Sequence, residues 1–176
     1  MGGFVGMRLA ARRPDLVERL VLLETSADPE PAENVPRYRL LAQVCRWFGV
    51  RPVAGRVMPI MFGRSFLTDP ARAAERARWR AELLANDRSI VAAVNGVIER
   101  APVYAELARI TQPTLVMVGD EDVATVPAKA ERIAAAISGA KLVRIPRAGH
   151  TSSVEAPDAV NAALEAFLAE TAARGR

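Results

Sequence analysis

The opening segment, Met1-Gly2-Gly3-Phe4-Val5-Gly6-Met7-Arg8-Leu9-Ala10, sets the tightest limit on what this chain can fold into. It reads as a helix, yet glycines stand inside it. Each glycine within a helix costs about 1 kcal/mol against alanine, so their placement calls for a packing reason. Gly2 and Gly6 are four apart, Gly3 and Gly6 three apart, and Ala10 follows at four. Residues at those spacings share a helix face. The result is a strip without side chains, along which a helix can press closely onto a sheet.

The rest of the chain supplies that sheet in two instalments. Pro14 ends the first helix, Asp15 to Glu18 forms a turn, and Arg19-Leu20-Val21-Leu22-Leu23-Glu24 follows as a short, unbroken apolar run. Such a run between helices fits a buried parallel strand. The second instalment begins after Leu107 to Ile110. Thr114 to Val118 reads as a strand ending at Gly119, Pro127 to Ile137 as a helix closed by Gly139, and Leu142 to Ile145 as a third strand. Pro157 opens a last helix, Asp158 to Ala169, and the tail Thr171 to Arg176 is expected to fray.

Between the instalments the strand signal disappears. Ser26-Ala27-Asp28-Pro29-Glu30-Pro31 is a loop. From Val35 to about Ala105 apolar residues recur at helical spacing, as in Leu40, Leu41 and Val44, or Ile90, Val91, Val94 and Val97. Pro36, Pro52, Pro59, Pro70 and Pro102 punctuate the region. The reading is an α/β core, residues 1–27 and 107–176, interrupted by an all-helical insertion over 28–106.

Charge and cysteine content remove several function classes. The net charge of +4 is spread over scattered arginines, with Lys129 and Lys141 the only lysines. No dense basic run with interleaved aromatics appears, so nucleic acid is not an expected partner. The single cysteine, Cys45, excludes an internal disulfide and reads as a small buried apolar residue. No window of about 18 apolar residues exists to span a membrane. Met1-Gly2-Gly3 lacks the basic head and cleavage site of a signal peptide, so a cytoplasmic protein is expected.

Open α/β sheets bind ligands outside the carboxyl ends of their strands. Two titratable residues stand there. Asp122 lies four residues beyond the second strand, and His150, the one histidine of the chain, five beyond the third. An imidazole acting as a general base needs a carboxylate to fix its tautomer, and Asp122 is placed to provide it. Asp120, Glu121 and Asp122 can also be read as a solvated acidic turn, and no histidine or further carboxylate converges on them in sequence to suggest a metal.

Ile110-Thr111-Gln112-Pro113-Thr114-Leu115-Val116-Met117-Val118-Gly119-Asp120-Glu121-Asp122 resembles the acid-bearing segment of the α/β-hydrolase superfamily. That family sets an apolar strand after a proline, then a glycine, then the acid three residues on. Ile145-Pro146-Arg147-Ala148-Gly149-His150 resembles its histidine loop. Met1-Gly2-Gly3 resembles the residues that follow the serine of its nucleophile elbow, G-x-S-x-G before a helix. Glu18 to Leu23 resembles the strand after the elbow helix. The resemblance covers essentially the whole chain, but only the C-terminal part of a family member.

The resemblance implies an α/β-hydrolase fold with three parallel strands and a helical lid. It implies a Ser-His-Asp mechanism on small, largely apolar esters or lactones, without cofactor or metal. Asp122 and His150 are the implied acid and base, and Met1 the implied oxyanion donor through its backbone nitrogen. Glu24 or Asp28 is the alternative acid. Trp47 and Phe62, among the aromatics of the insertion, are expected to contact substrate. No G-x-S-x-G occurs in the chain, so the nucleophile is expected upstream of Met1 and the chain alone is expected to be inactive. Ser26, at a strand end, is expected to line the pocket, and Ser152 or Ser153 to cap or approach the last helix. An aspartate nucleophile, as in dehalogenases and epoxide hydrolases, carbon–carbon bond hydrolysis, perhydrolysis, and a non-enzymatic binding role remain as alternatives. In the family the strand Leu20 to Leu23 has a neighbour that is absent here, so self-association through its unpaired edge is also expected.

Overall fold

The computed structural model describes residues 1–173 and builds them around one small parallel sheet. Helix α1 (Gly2–Arg12) and a turn at Pro14–Leu16 lead to β1 (Leu20–Leu23). Five helices follow: α2 (Val35–Phe48), α3 (Ala54–Met61), α4 (Arg64–Thr68), α5 (Ala73–Ala85) and α6 (Ile90–Ile98). The chain then returns through β2 (Thr114–Gly119), α7 (Pro127–Ala136), β3 (Lys141–Ile145), α8 (Ser152–Glu155) and α9 (Pro157–Ala173). The strands are parallel in the order β1-β2-β3, with Leu22 opposite Val116 and Met117 opposite Val143.

Strand alternation divides the core in two. Leu20, Leu22, Val116 and Val118 face α1 and α7, where they meet Met7, Ala10 and Ile133. Leu115, Met117 and Ile145 face α9, where they meet Val160 and Phe167. Because both faces are covered, all of β2 is buried, which accounts for its continuous apolar sequence. The outer side of β1 has no strand partner among the described residues.

One of the three early glycines is required by close approach. A Cβ on Gly3 would overlap the Thr25 side chain just after β1, whereas Gly6 meets Leu20 at an ordinary 3.4 Å and Gly2 faces open space. The expected glycine strip therefore narrows to a single point of intimate contact. The C-terminal helix is longer than its sequence suggested. Thr171 is buried, donates to the carbonyl of Phe167 and receives the Arg19 guanidinium at 2.8 Å. The remaining tail residues, 174–176, lie outside the described ones.

The five central helices carry two apolar clusters of their own. Leu41, Ala42, Cys45, Val50, Val53 and Val91 form one. Met58, Phe62 and Phe66 form the other, extended by Trp79 and Val154. Among the described residues, no helix is long and apolar enough to cross a membrane.

Candidate active site

The sheet delivers three chain segments to one end. After β2, Gly119 leads into Asp120-Glu121-Asp122, and after β3 the chain turns through Arg147, at φ 58°, into Gly149-His150. After β1 the chain turns at Glu24, at φ 46°. Left-handed backbone at non-glycine residues is uncommon, and it clusters where a fold holds functional groups. The acid and histidine loops touch through their backbones. A Cβ on Gly119 would overlap the carbonyls of Ala148 and Gly149. The amide of Glu121 donates to Ala148 O at 2.8 Å, which closes the contact.

Asp122 and His150 form the centre of this junction. Asp122 is 2% exposed, and its Oδ2 lies 2.9 Å from His150 Nδ1. Oδ1 accepts the amides of Ala124 and Thr125 at 2.8 and 2.9 Å, and the Thr125 hydroxyl donates to Oδ2 at 2.6 Å. Burial pushes the Asp122 carboxyl up. The hydrogen bond and charge of His150, then the Thr125 bonds, outweigh it and hold the group at about 2. An ionised carboxylate on Nδ1 fixes the imidazole as the Nδ1–H tautomer and leaves Nε2 as an acceptor. The imidazole remains partly open to solvent.

Glu24 stands beside this pair without touching the histidine through a hydrogen bond. Its two carboxylate oxygens accept the Gly119 amide at 3.0 and 3.2 Å. Burial, against some relief from neighbouring donors and with the Asp122 charge adding to it, raises its pKa to about 7. The fully buried Ser152 hydroxyl lies on the same carboxylate but makes no well-formed hydrogen bond. Ser152 begins the one-turn helix α8 and caps no helix with its side chain. Asp28, the other alternative acid, pairs with Arg132 at 3.0 Å.

A cavity of about 480 Å³ opens from His150 into the central helices. Met1, Glu24, Thr25, Ser26 and Thr125 line its sheet end, and Leu41, Val53, Val91 and Val94 its far walls. Ser26 Oγ accepts the Asp28 amide at 3.0 Å. Trp47 is not part of this cavity. It is 70% exposed on the outside of α2. Phe62 is buried in the second helical cluster, stacked on Phe66 at 4.8 Å, and lines only a separate shallow groove. Neither aromatic lines this cavity, whose walls are aliphatic residues of α2, α3 and α6.

The helices over the cavity are fastened to the loops that carry the acid and the base. Glu155 accepts the Gly63 amide at 2.8 Å, and Glu121 accepts the Ser65 amide and hydroxyl at 2.7 and 2.5 Å. Thr151, next to His150, donates its hydroxyl to Met61 O at 2.7 Å. A Cβ on Gly149 would overlap the backbone at Gly63. These contacts, and Thr125, are absent from the sequence reading. Thr125 had a local signal, since a threonine three residues after an aspartate can close a turn back onto it. Among the described residues, no group of three or more His, Cys, Asp or Glu side chains is placed to hold a metal ion.

Residues 1–163 match the model of the Alpha/beta hydrolase family. The chain belongs to that family. Among curated relatives of this α/β hydrolase is 3-oxoadipate enol-lactonase 2 of Acinetobacter baylyi, 28% identical over 168 residues, covering 96% of this chain and 61% of the relative. An enol-lactonase structure from Burkholderia xenovorans superposes with a TM-score of 0.85 at 29% identity, covering 96% of this chain and 63% of the other. A thermophilic esterase from Thermogutta terrifontis superposes at 0.84, also with 29% identity, covering 97% and 62%. The chain therefore spans less than two thirds of the length of these relatives.

Proposed function

We propose that the chain carries the base, the acid and the substrate cavity of a hydrolase for small carboxylic esters or lactones. The observation that carries the reading is the Asp122–His150 contact of 2.9 Å at the mouth of an apolar cavity. The similarity to an enol-lactonase and an esterase supports it. In this reading the central helices act as a lid that excludes water from the acyl group.

The steps follow from the tautomer. A serine outside these 176 residues, on the segment leading into Met1, attacks the acyl carbon. His150 Nε2 takes its proton and Asp122 steadies the resulting imidazolium. The same nitrogen then protonates the departing alkoxide, which leaves an acyl-enzyme. Water then gives a proton to His150 Nε2 as it attacks the acyl-enzyme, and His150 passes that proton to the serine oxygen as the carboxylic acid leaves. The backbone nitrogen of Met1, ahead of α1 at the cavity, is the proposed oxyanion donor.

The test is p-nitrophenyl acetate hydrolysis by two proteins, these 176 residues alone and the same chain with its preceding coding sequence. The expected outcome is turnover only from the longer protein, lost on His150→Ala. Turnover by the short chain that disappears on Ser26→Ala would move the nucleophile to Ser26. A longer protein without turnover on any ester or lactone would refute the hydrolase reading.

A further inference from the structure

Helix α2 has two working sides. Leu41, Ala42 and Cys45 turn inward, to the cavity and the helical cluster around it. On the outside, Leu40 and Trp47 are both exposed and stand seven residues apart, which sets them on one line along the helix. Arg39 and Arg46, also seven apart and exposed, make a second line beside the first. Phe48 ends the helix with its ring exposed as well. Single apolar side chains scattered over a surface need no explanation, but three on the outside of one helix mark a place of contact. Leu40, Trp47 and Phe48 line neither the cavity nor the groove at Phe62, so they stand out as a ridge.

The charge around the ridge has one sign. From Val35 to Thr68 the chain has six arginines, Arg37, Arg39, Arg46, Arg51, Arg56 and Arg64, and no lysine, aspartate or glutamate. All six are exposed. The charge of Arg64 reaches Glu121. The other five make no ion pair and no side-chain hydrogen bond among the described residues. Helix α6, packed against α2 through Val91 and Val94, carries no charged residue. Glu33, just ahead of α2, is exposed and is not paired with Arg37. Other arginines of the chain are matched: Arg12 with Glu106, Arg13 with Asp15, Arg132 with Asp28 and Arg144 with Asp120. A second copy of the chain does not suit this face, because a symmetric contact would set arginine against arginine. An anionic lipid surface suits both kinds of side chain. Aromatic rings enter the headgroup layer, and guanidinium groups stay at its negative charges.

We infer that the outer face of α2 docks onto an anionic lipid bilayer, with Leu40, Trp47 and Phe48 entering the headgroup layer and Arg39 and Arg46 meeting the lipid headgroups. The contact is peripheral, since the inner side of α2 stays packed in the protein. It sets the cavity, whose wall is that inner side, next to the membrane. Docking of this kind is independent of any turnover.

The experiment is sedimentation with vesicles, of phosphatidylcholine alone and of phosphatidylcholine mixed with phosphatidylserine. It uses both the 176 residues and the longer protein with its preceding coding sequence. Both proteins are expected to bind the phosphatidylserine vesicles, to ignore the neutral ones, and to be released by added salt. Trp47→Ala is expected to weaken binding about tenfold, and Arg39→Gln with Arg46→Gln about thirtyfold. These side chains are exposed, so the variants should fold as the parent does. Arg13→Gln, which removes an exposed charge at the end of α1, is expected to leave binding unchanged. In a Trp79→Phe variant of the 176 residues, Trp47 is the only tryptophan, and its emission is expected to shift to the blue on binding. Equal binding to neutral vesicles, binding indifferent to Trp47→Ala, or an equal loss from Arg13→Gln would each overturn the inference. So would a longer protein that binds no vesicles, whose upstream segment would then cover the face. Self-association that Trp47→Ala dissolves, without vesicle binding, would make the face a contact between copies. Binding of duplex DNA in place of vesicles would make the partner a nucleic acid. Both of these outcomes also overturn it.

Discussion

Glu24 holds the Gly119 amide between its two carboxylate oxygens, at 3.0 and 3.2 Å, and so ties the end of β1 to the start of the acid loop. Burial raises its pKa to about 7, from an ordinary value near 4.5. Between those values the native state keeps a proton that the unfolded chain has released. Stability from this group is thus fully present below about pH 4.5 and is lost as pH rises through about 7. Asp122 has the opposite sign. Held at about 2, it stabilises above its ordinary value of 3.8 and loses that contribution as pH falls through 2. Glutamine in place of Glu24 keeps an acceptor for Gly119 and cannot ionise. Glu24→Gln should therefore flatten the decline between about pH 5 and pH 8, and gain about 1–3 kcal/mol over the parent at the upper end. Urea midpoints at the two pH values measure this. Parallel pH dependences in parent and variant would exclude an uncharged Glu24.

Gly149→Ala tests the junction between the helical segment and the histidine loop. The added methyl meets the backbone of Phe62 and Gly63, which cannot yield as a flexible side chain would. Overpacking of this kind costs about 1–3 kcal/mol. The expected result is a lower urea midpoint, together with a lower kcat in the longer protein, because His150 follows directly in the chain. Gly2→Ala, where nothing lies within 4 Å, is the control and should not lower the urea midpoint.

How much of this was legible in the sequence depended on how local each signal was. The strands could be read because β2, buried on both faces, has no polar interruption from Leu115 to Val118. Asp122 and His150 could be singled out because each follows a strand end and a glycine, and the fold class followed from their order. The cavity walls could not be read in this way. Helix α2 carries apolar residues around its circumference. Leu41 and Cys45 point inward, while Leu40, Trp47 and Phe48 are 55%, 70% and 68% exposed. Arg39, Gln43 and Arg46 mark an exposed side, but Leu40, Trp47 and Phe48 share it, so sequence spacing alone did not separate cavity residues from surface ones. Phe62 lies away from the cavity for another reason. It ends α3 in extended backbone and turns toward Phe66 and Trp79. Long-range contacts such as Gly63 on Glu155 leave no trace at any fixed spacing.

The cavity walls therefore make a prediction opposite to the one that aromatic content suggests. In the longer, turnover-competent protein, Trp47→Ala should leave relative kcat/KM across ester chain lengths unchanged, because the indole faces solvent. Val53 is 5% exposed and lines the cavity. Val53→Phe should shorten the preferred acyl chain and lower kcat/KM for the longest esters by about tenfold or more, as filling a pocket by several methylenes does. A shift in preference from the Trp47 variant, with none from the Val53 variant, would place the substrate elsewhere.

Thr125 makes the last prediction, because its side chain touches both members of the pair. Its hydroxyl donates to Asp122 Oδ2 at 2.6 Å and lies 3.3 Å from His150 Nδ1. With its proton committed to the carboxylate, the hydroxyl fixes Oδ2, the oxygen that also meets the imidazole. Without it, Oδ2 loses a donor in a site closed to water, and the carboxyl rises from about 2 toward its ordinary value. The histidine is then held less firmly, but the pair itself survives. Thr125→Val in the longer protein should lower kcat by about threefold to thirtyfold, whereas Asp122→Asn, which removes the carboxylate charge, should cost about 10³–10⁴. Thr125→Ser, which restores the hydroxyl, should recover most of the rate. Cavity volume barely changes between threonine and valine, so a loss from packing alone would appear in KM. A drop confined to KM, or a serine variant as slow as the valine variant, would deny Thr125 this positioning role.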